Sequence, residues 1–310
     1  MATLLKPAAV PSDASVAVVS LASTPQNERV ERGLEALRVL GYNPQAAEHI
    51  LARGPLYFAG TPEMRLSDLH HAFADDTLRA IFCTRGGYGS NYLLDGLDLD
   101  LIAESAKPLM GYSDLTAPQL WLLDQIGLPS FYGPMLSADF SRPDGVHLAS
   151  MQAAFSGKPY AVGADEGMRT LHPGRARGTL YGGCLSILVA MLGTPYEPQT
   201  EDKLLFLEDT GAKPYQIDRM LWQLLQAGKL DGVRGIVFGE MLDCVSPGAP
   251  PGLLDEVILR VFEDFRGPIT IGLRSGHVSR SNVTLTLGVD AELRAGDEAH
   301  LSLLEAAVKA

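Results

Sequence analysis

Short apolar runs alternate with helix-like segments along the first half of the chain, and this alternation restricts the folds open to it. Residues 16–21 and 78–84 have the composition of buried strands, as does the run that ends at Met110. Residues 28–40 and 116–126 instead space their apolar side chains along one face of a helix. Strands and helices that alternate through short joints form a parallel sheet covered on both faces. The first half therefore predicts an α/β domain with a mostly parallel sheet.

The pattern changes near the middle of the chain. Residues 158–178 crowd Gly, Pro, Asp, Arg and His together and lose helical periodicity, which indicates a domain boundary. Strand-like and helical runs then resume, and short alternating segments follow residue 283, as in an antiparallel meander. We expect an N-terminal flavodoxin-like α/β domain at 1–160, a linker at 161–178, and a smaller C-terminal α/β domain with short antiparallel strands at 179–310.

Composition excludes several classes of function. The formal net charge is −12 and no run of Lys or Arg is present, so nucleic acid is not an expected partner. No run reaches the ~20 apolar residues of a membrane span, and the broken apolar stretch near the N-terminus does not resemble a secretion signal. Three cysteines without a C-x-x-C pair fit a reducing cytoplasm, and the histidine spacing predicts no metal site and no cofactor.

Ser113 lies in a Gly-Tyr-Ser turn between a strand-like run and a helix. In a nucleophile elbow this geometry exposes the serine hydroxyl and requires a small residue two positions earlier, where Gly111 stands. Leu115 occupies the position at which the motif has its second glycine. A serine in such a turn is also typical of an ordinary turn or helix cap. The turn alone leaves both interpretations open.

A glycine-rich turn, residues 85–90, follows the preceding strand-like run. It matches neither common phosphate-binding pattern, so it is a structural turn, a loop that lends backbone N–H groups to a site, or an unusual phosphate loop. Ligands bind at the carboxyl ends of parallel strands, where both this turn and Ser113 are expected.

Two polar groups in the second half of the chain can complete a catalytic set. Glu208 and Asp209 end one strand-like run, and His277 lies in a Ser-Gly-His loop after another. A serine nucleophile needs a base, and the base needs an acceptor on its other ring nitrogen. Ser113, His277 and Glu208 can fill these roles. Neighbouring side chains of a strand point to opposite faces, so only one of Glu208 and Asp209 can face His277.

Five motifs in order make the chain resemble the LD-carboxypeptidase family of serine peptidases, which includes the microcin C immunity proteins. They are TPEMRLSDL (61–69), RGGYG (85–89), GYSDL (111–115), LEDTG with YQIDR (207–211 and 215–219), and SGH (275–277). The resemblance covers nearly the whole chain. It implies a triad of Ser113 as nucleophile, His277 as base and Glu208 as its orienter, with the backbone N–H groups of Gly87 and Asp114 forming the oxyanion hole.

The resemblance also implies a substrate and a setting. We expect a cytoplasmic homodimer that cleaves the L,D bond to the terminal D-alanine of muropeptide tetrapeptides in peptidoglycan recycling, or an immunity-type peptidase of the same family. Arg85 and Lys213 are candidates to bind the substrate carboxylate, although a surface charge or an ion-pair partner is the more ordinary role for each. The chain departs from the usual family pattern at three positions: Cys184 replaces an Asn, Ala212 stands where the family often has Glu, and Thr286 replaces a Pro. These departures affect the shape expected for the substrate loop.

Two other functions compete with this one. Cys83 precedes the glycine-rich turn, as a nucleophilic cysteine does in glutamine amidotransferases, although a buried structural thiol fits its position inside the strand better. A non-enzymatic module that binds a ligand between two α/β lobes would have no need of Ser113.

Overall fold

The computed structural model describes residues 3–309, and these fold into two compact units, each built on its own sheet. The strands are β1 (Ser15–Val19), β2 (Asn43–Ala46), β3 (Ile81–Cys83), β4 (Leu109–Gly111), β5 (Ser130–Tyr132), β6 (Tyr160–Val162), β7 (Arg169–His172), β8 (Gly174–Cys184), β9 (Lys203–Glu208), β10 (Gly235–Gly239), β11 (Ile269–Leu273), β12 (Leu285–Leu287), β13 (Asp290–Ala295) and β14 (His300–Leu303). The α-helices are α1 (Asn27–Val39), α2 (Pro62–Ala74), α3 (Leu99–Glu104), α4 (Thr116–Ile126), α5 (Leu148–Ser156), α6 (Leu185–Ala190), α7 (Pro214–Gln226) and α8 (Leu253–Val261).

The first unit contains the chain up to Lys158, Arg280–Gly288 and the segment from Ala306. Its sheet has the order β12-β5-β4-β3-β1-β2, and β1 to β5 are parallel. The apolar runs seen in the sequence form its centre, where Val18, Phe82 and Phe131 have no exposed surface. The predicted α/β class with a mostly parallel sheet is confirmed. Burial on both faces explains why these strands read as unbroken apolar runs.

The second unit contains Pro159–Ser279 and Val289–Glu305. Its sheet has the order β6-β14-β13-β8-β9-β10-β11-β7, in which β8 to β11 are parallel and the outer strands pair antiparallel. The short antiparallel strands predicted for the C-terminal part are therefore present. Glu208 ends β9, and the loop with His277 follows β11, so both lie at carboxyl ends of parallel strands.

The linker predicted at 161–178 is wrong, because these residues belong to the second sheet. They contain the end of β6, all of β7 and the first part of β8. Along β8, the exposed Arg175 and Arg177 form ion pairs with Glu292 and Asp290 of β13. The partners stand more than a hundred residues away, so the local sequence shows only glycine and charge.

The predicted C-terminal meander also differs from the structure in one strand. β13 and β14 pair as expected, but β12 leaves them and pairs antiparallel with β5 in the first unit, with Leu285 opposite Tyr132. Leu285 and Leu287 have no exposed surface, and Thr286 is 1% exposed. The chain thus returns to the first unit after residue 279, which the composition of the sequence does not reveal.

Among residues 3–309, no helix combines the length and the apolar composition that crossing a lipid bilayer requires.

Candidate active site

Ser113 lies on a strained turn between β4 and α4. Its φ of +66° belongs to the left-handed region, which residues other than glycine seldom adopt. The Ser113 N–H donates to the hydroxyl of Tyr132 at 3.2 Å, and the Thr116 hydroxyl donates to the Ser113 carbonyl at 2.7 Å. These bonds hold the backbone in this conformation. Strain of this kind is typical of a nucleophile elbow, which presents its serine at the end of a strand.

The surroundings of the turn explain which neighbours of Ser113 must be small. A Cβ on Gly111 would lie 3.2 Å from Cβ of Cys83 and 3.3 Å from Cγ of Leu115. A Cβ on Gly86 would lie 2.8 Å from Cβ of Ser113, so the glycine-rich turn packs directly against the serine. Leu115, which replaces the second glycine of the elbow motif, is fully buried next to Gly111.

A buried arginine fixes the glycine-rich turn. Arg65 of α2 is 1% exposed, and its Nη1 donates to the carbonyls of Leu21 at 2.9 Å and Gly89 at 2.8 Å. Gly87 and Gly89 both have positive φ, at +106° and +119°. Arg65 was not predicted from the sequence, although its position four residues before the buried Leu69 places it on the apolar face of α2.

The carboxylate of Asp114 ties the same turn to the elbow. Its Oδ2 accepts the Ser90 N–H at 2.8 Å, and the Ser90 hydroxyl donates to the Asp114 carbonyl at 2.6 Å. Burial raises the pKa of Asp114, while the bonds from Ser90 and the charge of Arg65 oppose this rise. From the sequence, Asp114 was expected to act only through its backbone N–H. Its side chain holds together the two loops that carry the predicted oxyanion-hole residues.

In the second unit, Glu208 and His277 form a hydrogen-bonded pair. Oε2 of Glu208 accepts the backbone N–H of His277 at 3.0 Å and lies 2.9 Å from Nδ1. With the proton on Nδ1, the ring donates to the carboxylate, and the lone pair of the neutral ring is on Nε2. Glu208 has no exposed surface, whereas the side chain of His277 is 21% exposed. The His277 side chain is therefore partly open to solvent, whereas its carboxylate partner is not.

Two glycines make room for the Glu208 side chain. A Cβ on Gly276, whose φ is +88°, would lie 2.6 Å from Cδ of Glu208. A Cβ on Gly239 would lie 2.6 Å from Cβ of the same residue. The glycine of the Ser-Gly-His loop is therefore required by the contact of that loop with Glu208.

Asp209 has different partners from Glu208. Its Oδ2 accepts the Ser186 N–H and its Oδ1 accepts the Thr210 N–H, each at 2.8 Å. Glu208 is thus the carboxylate that contacts His277, and Asp209 points to the neighbouring helix start. This agrees with the expectation that only one of the two can face the histidine.

The remaining candidates from the sequence have less specific settings. The Arg85 guanidinium donates to the Thr24 carbonyl at 3.5 Å, and Nζ of the exposed Lys213 donates to the Ser246 hydroxyl at 3.4 Å. Cys83 is fully buried, and burial raises the pKa of its thiol. A nucleophilic cysteine requires an accessible thiolate, so the structure contradicts the amidotransferase-like interpretation.

Cys184 lies beside the Glu208–His277 pair. It ends β8 in direct register with Glu208 on β9, and one ligand atom each of Cys184, Glu208 and His277 lies within 4.8 Å of the others. The sequence showed the cysteine only as a departure from a family pattern. Its proximity to Glu208 depends on the pairing of two strands, which no local spacing reveals.

Comparisons with known proteins cover both units. The family model for the LD-carboxypeptidase N-terminal domain matches residues 16–133, and the model for the LD-carboxypeptidase C-terminal domain matches residues 177–293. The chain is 36% identical over 308 residues to a probable murein peptide carboxypeptidase of Bacillus subtilis, covering 98% of this chain and 95% of that protein.

Two solved structures have the same fold. An MccF-like protein from Bacillus anthracis superposes with a TM-score of 0.88 at 28% identity, covering 98% of this chain and 100% of the other. A muramoyltetrapeptide carboxypeptidase from Oxalobacter formigenes superposes with a TM-score of 0.84 at 26% identity, covering 94% and 99% of the two chains. The similarity extends over both sheets and both sets of candidate residues.

Proposed function

The chain belongs to the LD-carboxypeptidase family, and on that premise we propose that it is a serine carboxypeptidase that removes the terminal D-alanine from muropeptide tetrapeptides. Family membership makes it a peptidase. The observation that carries the choice of nucleophile is the positive φ of Ser113 at the end of β4. A strained serine turn directly before a helix is the device by which α/β hydrolases expose a nucleophile.

The proposed mechanism uses residues of both units. Nε2 of His277 removes the hydroxyl proton of Ser113 as Oγ attacks the scissile carbonyl carbon. The N–H groups of Gly87 and Asp114 stabilise the resulting oxyanion. Nε2 then returns the proton to the amine of the departing D-alanine, and water hydrolyses the acyl-enzyme by the same sequence of steps. Glu208 accepts a hydrogen bond from Nδ1 and so orients the ring, a role that the 2.9 Å contact supports.

The substrate assignment is supported by the names of two relatives, a probable murein peptide carboxypeptidase and a muramoyltetrapeptide carboxypeptidase. The leaving D-alanine carries a carboxylate, which requires a local positive charge in a protein of net charge −12. Arg85, two residues before Gly87, and Lys213, five residues after Glu208, are the side chains we assign to this task.

The setting and the assembly are further parts of the proposal. Cys83, Cys184 and Cys244 are buried and form no disulfide within the described residues 3–309, as expected in a reducing compartment, so we assign the protein to cytoplasmic peptidoglycan recycling. We also propose a homodimer, which light scattering of the purified protein tests directly.

The proposed activity can be tested with a purified muropeptide tetrapeptide in which an L-configured centre, that of diaminopimelate or lysine, is bonded to a terminal D-alanine. Mass spectrometry should show tripeptide plus free D-alanine, while the epimer ending in L-alanine stays intact because a chiral pocket aligns only one configuration with the serine. Ser113→Ala should lose about 10³- to 10⁶-fold in kcat while binding of the tetrapeptide survives. Wild-type turnover by this variant would overturn the nucleophile assignment.

An immunity-type activity is the second candidate, and the similarity to the MccF-like structure favours it. Under this alternative the protein would cleave a peptide linked to a nucleotide and leave the muropeptide untouched. The same assay with an aminoacyl-nucleotide substrate separates the two functions.

A further inference from the structure

We propose that Cys184, Glu208 and His277 form a binding site for a borderline-soft divalent cation, with Zn²⁺ as the fitting ion. Their ligand atoms all lie within 4.8 Å of one another. All three belong to the second unit, so the site is built within one compact body.

Strand register explains why these three side chains converge. Cys184 and Glu208 are paired residues at the carboxyl ends of the adjacent parallel strands β8 and β9. Register partners on neighbouring strands present their side chains to the same face of a sheet. His277 follows β11 and is fixed over Glu208 by two hydrogen bonds, through its backbone N–H and through Nδ1. Regular strands position two of the donors, and a bonded loop positions the third.

The donor atoms select the class of metal. A thiolate, an imidazole nitrogen and a carboxylate oxygen are the ligand types that Zn²⁺ combines, whereas Mg²⁺ and Ca²⁺ require oxygen donors. Three protein ligands also leave a fourth position for water. The thiol of Cys184 lies 3.9 Å from Oδ2 of Asp209 as well as near Glu208, so two carboxylates give the site the negative charge that a divalent cation requires.

Access and proton balance are consistent with reversible binding. Cys184 is 4% exposed and Glu208 is fully buried, but the partly exposed side chain of His277 opens the group to solvent. Zn²⁺ forms one bond to sulfur as the Cys184 thiol releases its proton to water, it binds the neutral His277 ring at the nitrogen that carries no proton, and no oxidation state changes. Binding occupies the histidine ring and the carboxylate that the proposed mechanism requires. The protein therefore cannot bind the metal and catalyse the reaction at the same time. This exclusion rests on the proposed function, but the metal site itself does not depend on it.

Cobalt spectroscopy tests metal binding without reference to activity. Co²⁺ added to the chelator-treated full chain should produce a sulfur-to-cobalt charge-transfer band with a stoichiometry of one, and Zn²⁺ should displace it. Cys184→Ala and the near-isosteric Cys184→Ser should abolish the band, and His277→Ala should weaken binding about 10- to 100-fold. Cys244→Ala is the matched control, because Cys244 is equally buried and should leave the band unchanged.

The outcomes separate the metal site from the catalytic assignment. Absence of the band in the wild type, or its persistence in both Cys184 variants, overturns the proposal. If the band forms as expected, Zn²⁺ should also inhibit tetrapeptide cleavage at least tenfold, chelator should restore the rate, and the ratio of rates with and without Zn²⁺ should approach one in Cys184→Ser. A band without inhibition contradicts the catalytic role of His277 and leaves the metal site standing.

Discussion

At the scale of single residues, the contact between Glu208 and His277 makes the sharpest prediction. Glu208→Gln keeps the size of the side chain but removes the anionic acceptor for Nδ1, so the ring can adopt the wrong tautomer. We expect kcat to fall by up to about 10⁴-fold, as measured by steady-state release of D-alanine. Asp209→Asn is the matched control, since Asp209 accepts the N–H groups of Ser186 and Thr210 instead. A larger loss in Asp209→Asn than in Glu208→Gln would reverse the assignment.

Gly276 permits a second test of the same pair. Gly276→Ala adds a Cβ 2.6 Å from Cδ of Glu208 at a residue with a φ of +88°, so both the backbone and the carboxylate must shift. We expect a loss of about 1–3 kcal/mol in the free energy of unfolding from the strained backbone, together with a fall in kcat.

The control for this change is Gly211→Ala. Gly211 also has a positive φ, +68°, but a Cβ there meets nothing within 4 Å. Chemical denaturation should show a comparable loss of stability from backbone strain, with a much smaller change in kcat. Equal effects of the two variants on kcat would mean that contact of the loop with Glu208 has no part in catalysis.

At the scale of elements, the turn that carries Gly87 depends on helix α2. Arg65→Met removes the donors to the Leu21 and Gly89 carbonyls and leaves buried Asp114 without a nearby positive charge. We expect a loss of about 3 kcal/mol in the free energy of unfolding and a fall in kcat as the turn moves. Arg38→Met on α1 is the control, because Arg38 is 54% exposed and forms only a surface pair with Glu35. Thermal unfolding and turnover measured for both variants test this prediction, which requires the losses in Arg65→Met and not in Arg38→Met.

The elements that the sequence predicted correctly are those whose stability is local. Helix α4 has the bounds expected from its apolar spacing, 116–126, and β3 lies within the apolar run at 78–84. The failures are elements that depend on distant partners. β8 begins with glycines and arginines, and it forms a strand because it pairs with β13, which carries the acidic residues that form ion pairs with the arginines. β12 has only three residues, too few to predict which sheet it joins.

The candidate site divides in the same way. Ser113, Glu208 and His277 were proposed from the sequence because each lies at or just after the end of a strand-like run and carries a reactive group. Arg65 and Cys184 were not, since their importance depends on contacts across the fold. A buried charge on the apolar face of a helix was the one local signal for Arg65.

At the scale of the whole molecule, buried Asp139 makes stability depend on pH. Burial raises the pKa of its carboxyl from 3.8 to about 6, against the opposing effects of the Met135 N–H and Arg142. Between these values the folded state binds more protons than the unfolded state, so stability falls as pH rises through about 4 to 6. Above this window the group costs about 3 kcal/mol.

Asp139→Asn should escape this penalty, since its side chain stays neutral. Relative to wild type, the variant should gain up to about 3 kcal/mol in the free energy of unfolding between pH 4 and pH 7.5. Urea unfolding of both proteins at the two pH values measures the change, and the comparison cancels the contributions of other titrating groups. A difference that does not vary with pH would show that Asp139 remains ionised throughout.

The position of β12 also has a consequence for how the protein is made. Strand β5 is completed at Tyr132, but its antiparallel partner begins at Leu285. At about 5–20 residues per second, a ribosome needs roughly 8 to 30 s to synthesise the intervening chain. Throughout that interval β5 is an open sheet edge, able to pair with other nascent chains. Folding of the unit that carries Ser113 therefore finishes only after residue 287 has been synthesised, and a message truncated before residue 285 yields a chain with an uncovered edge.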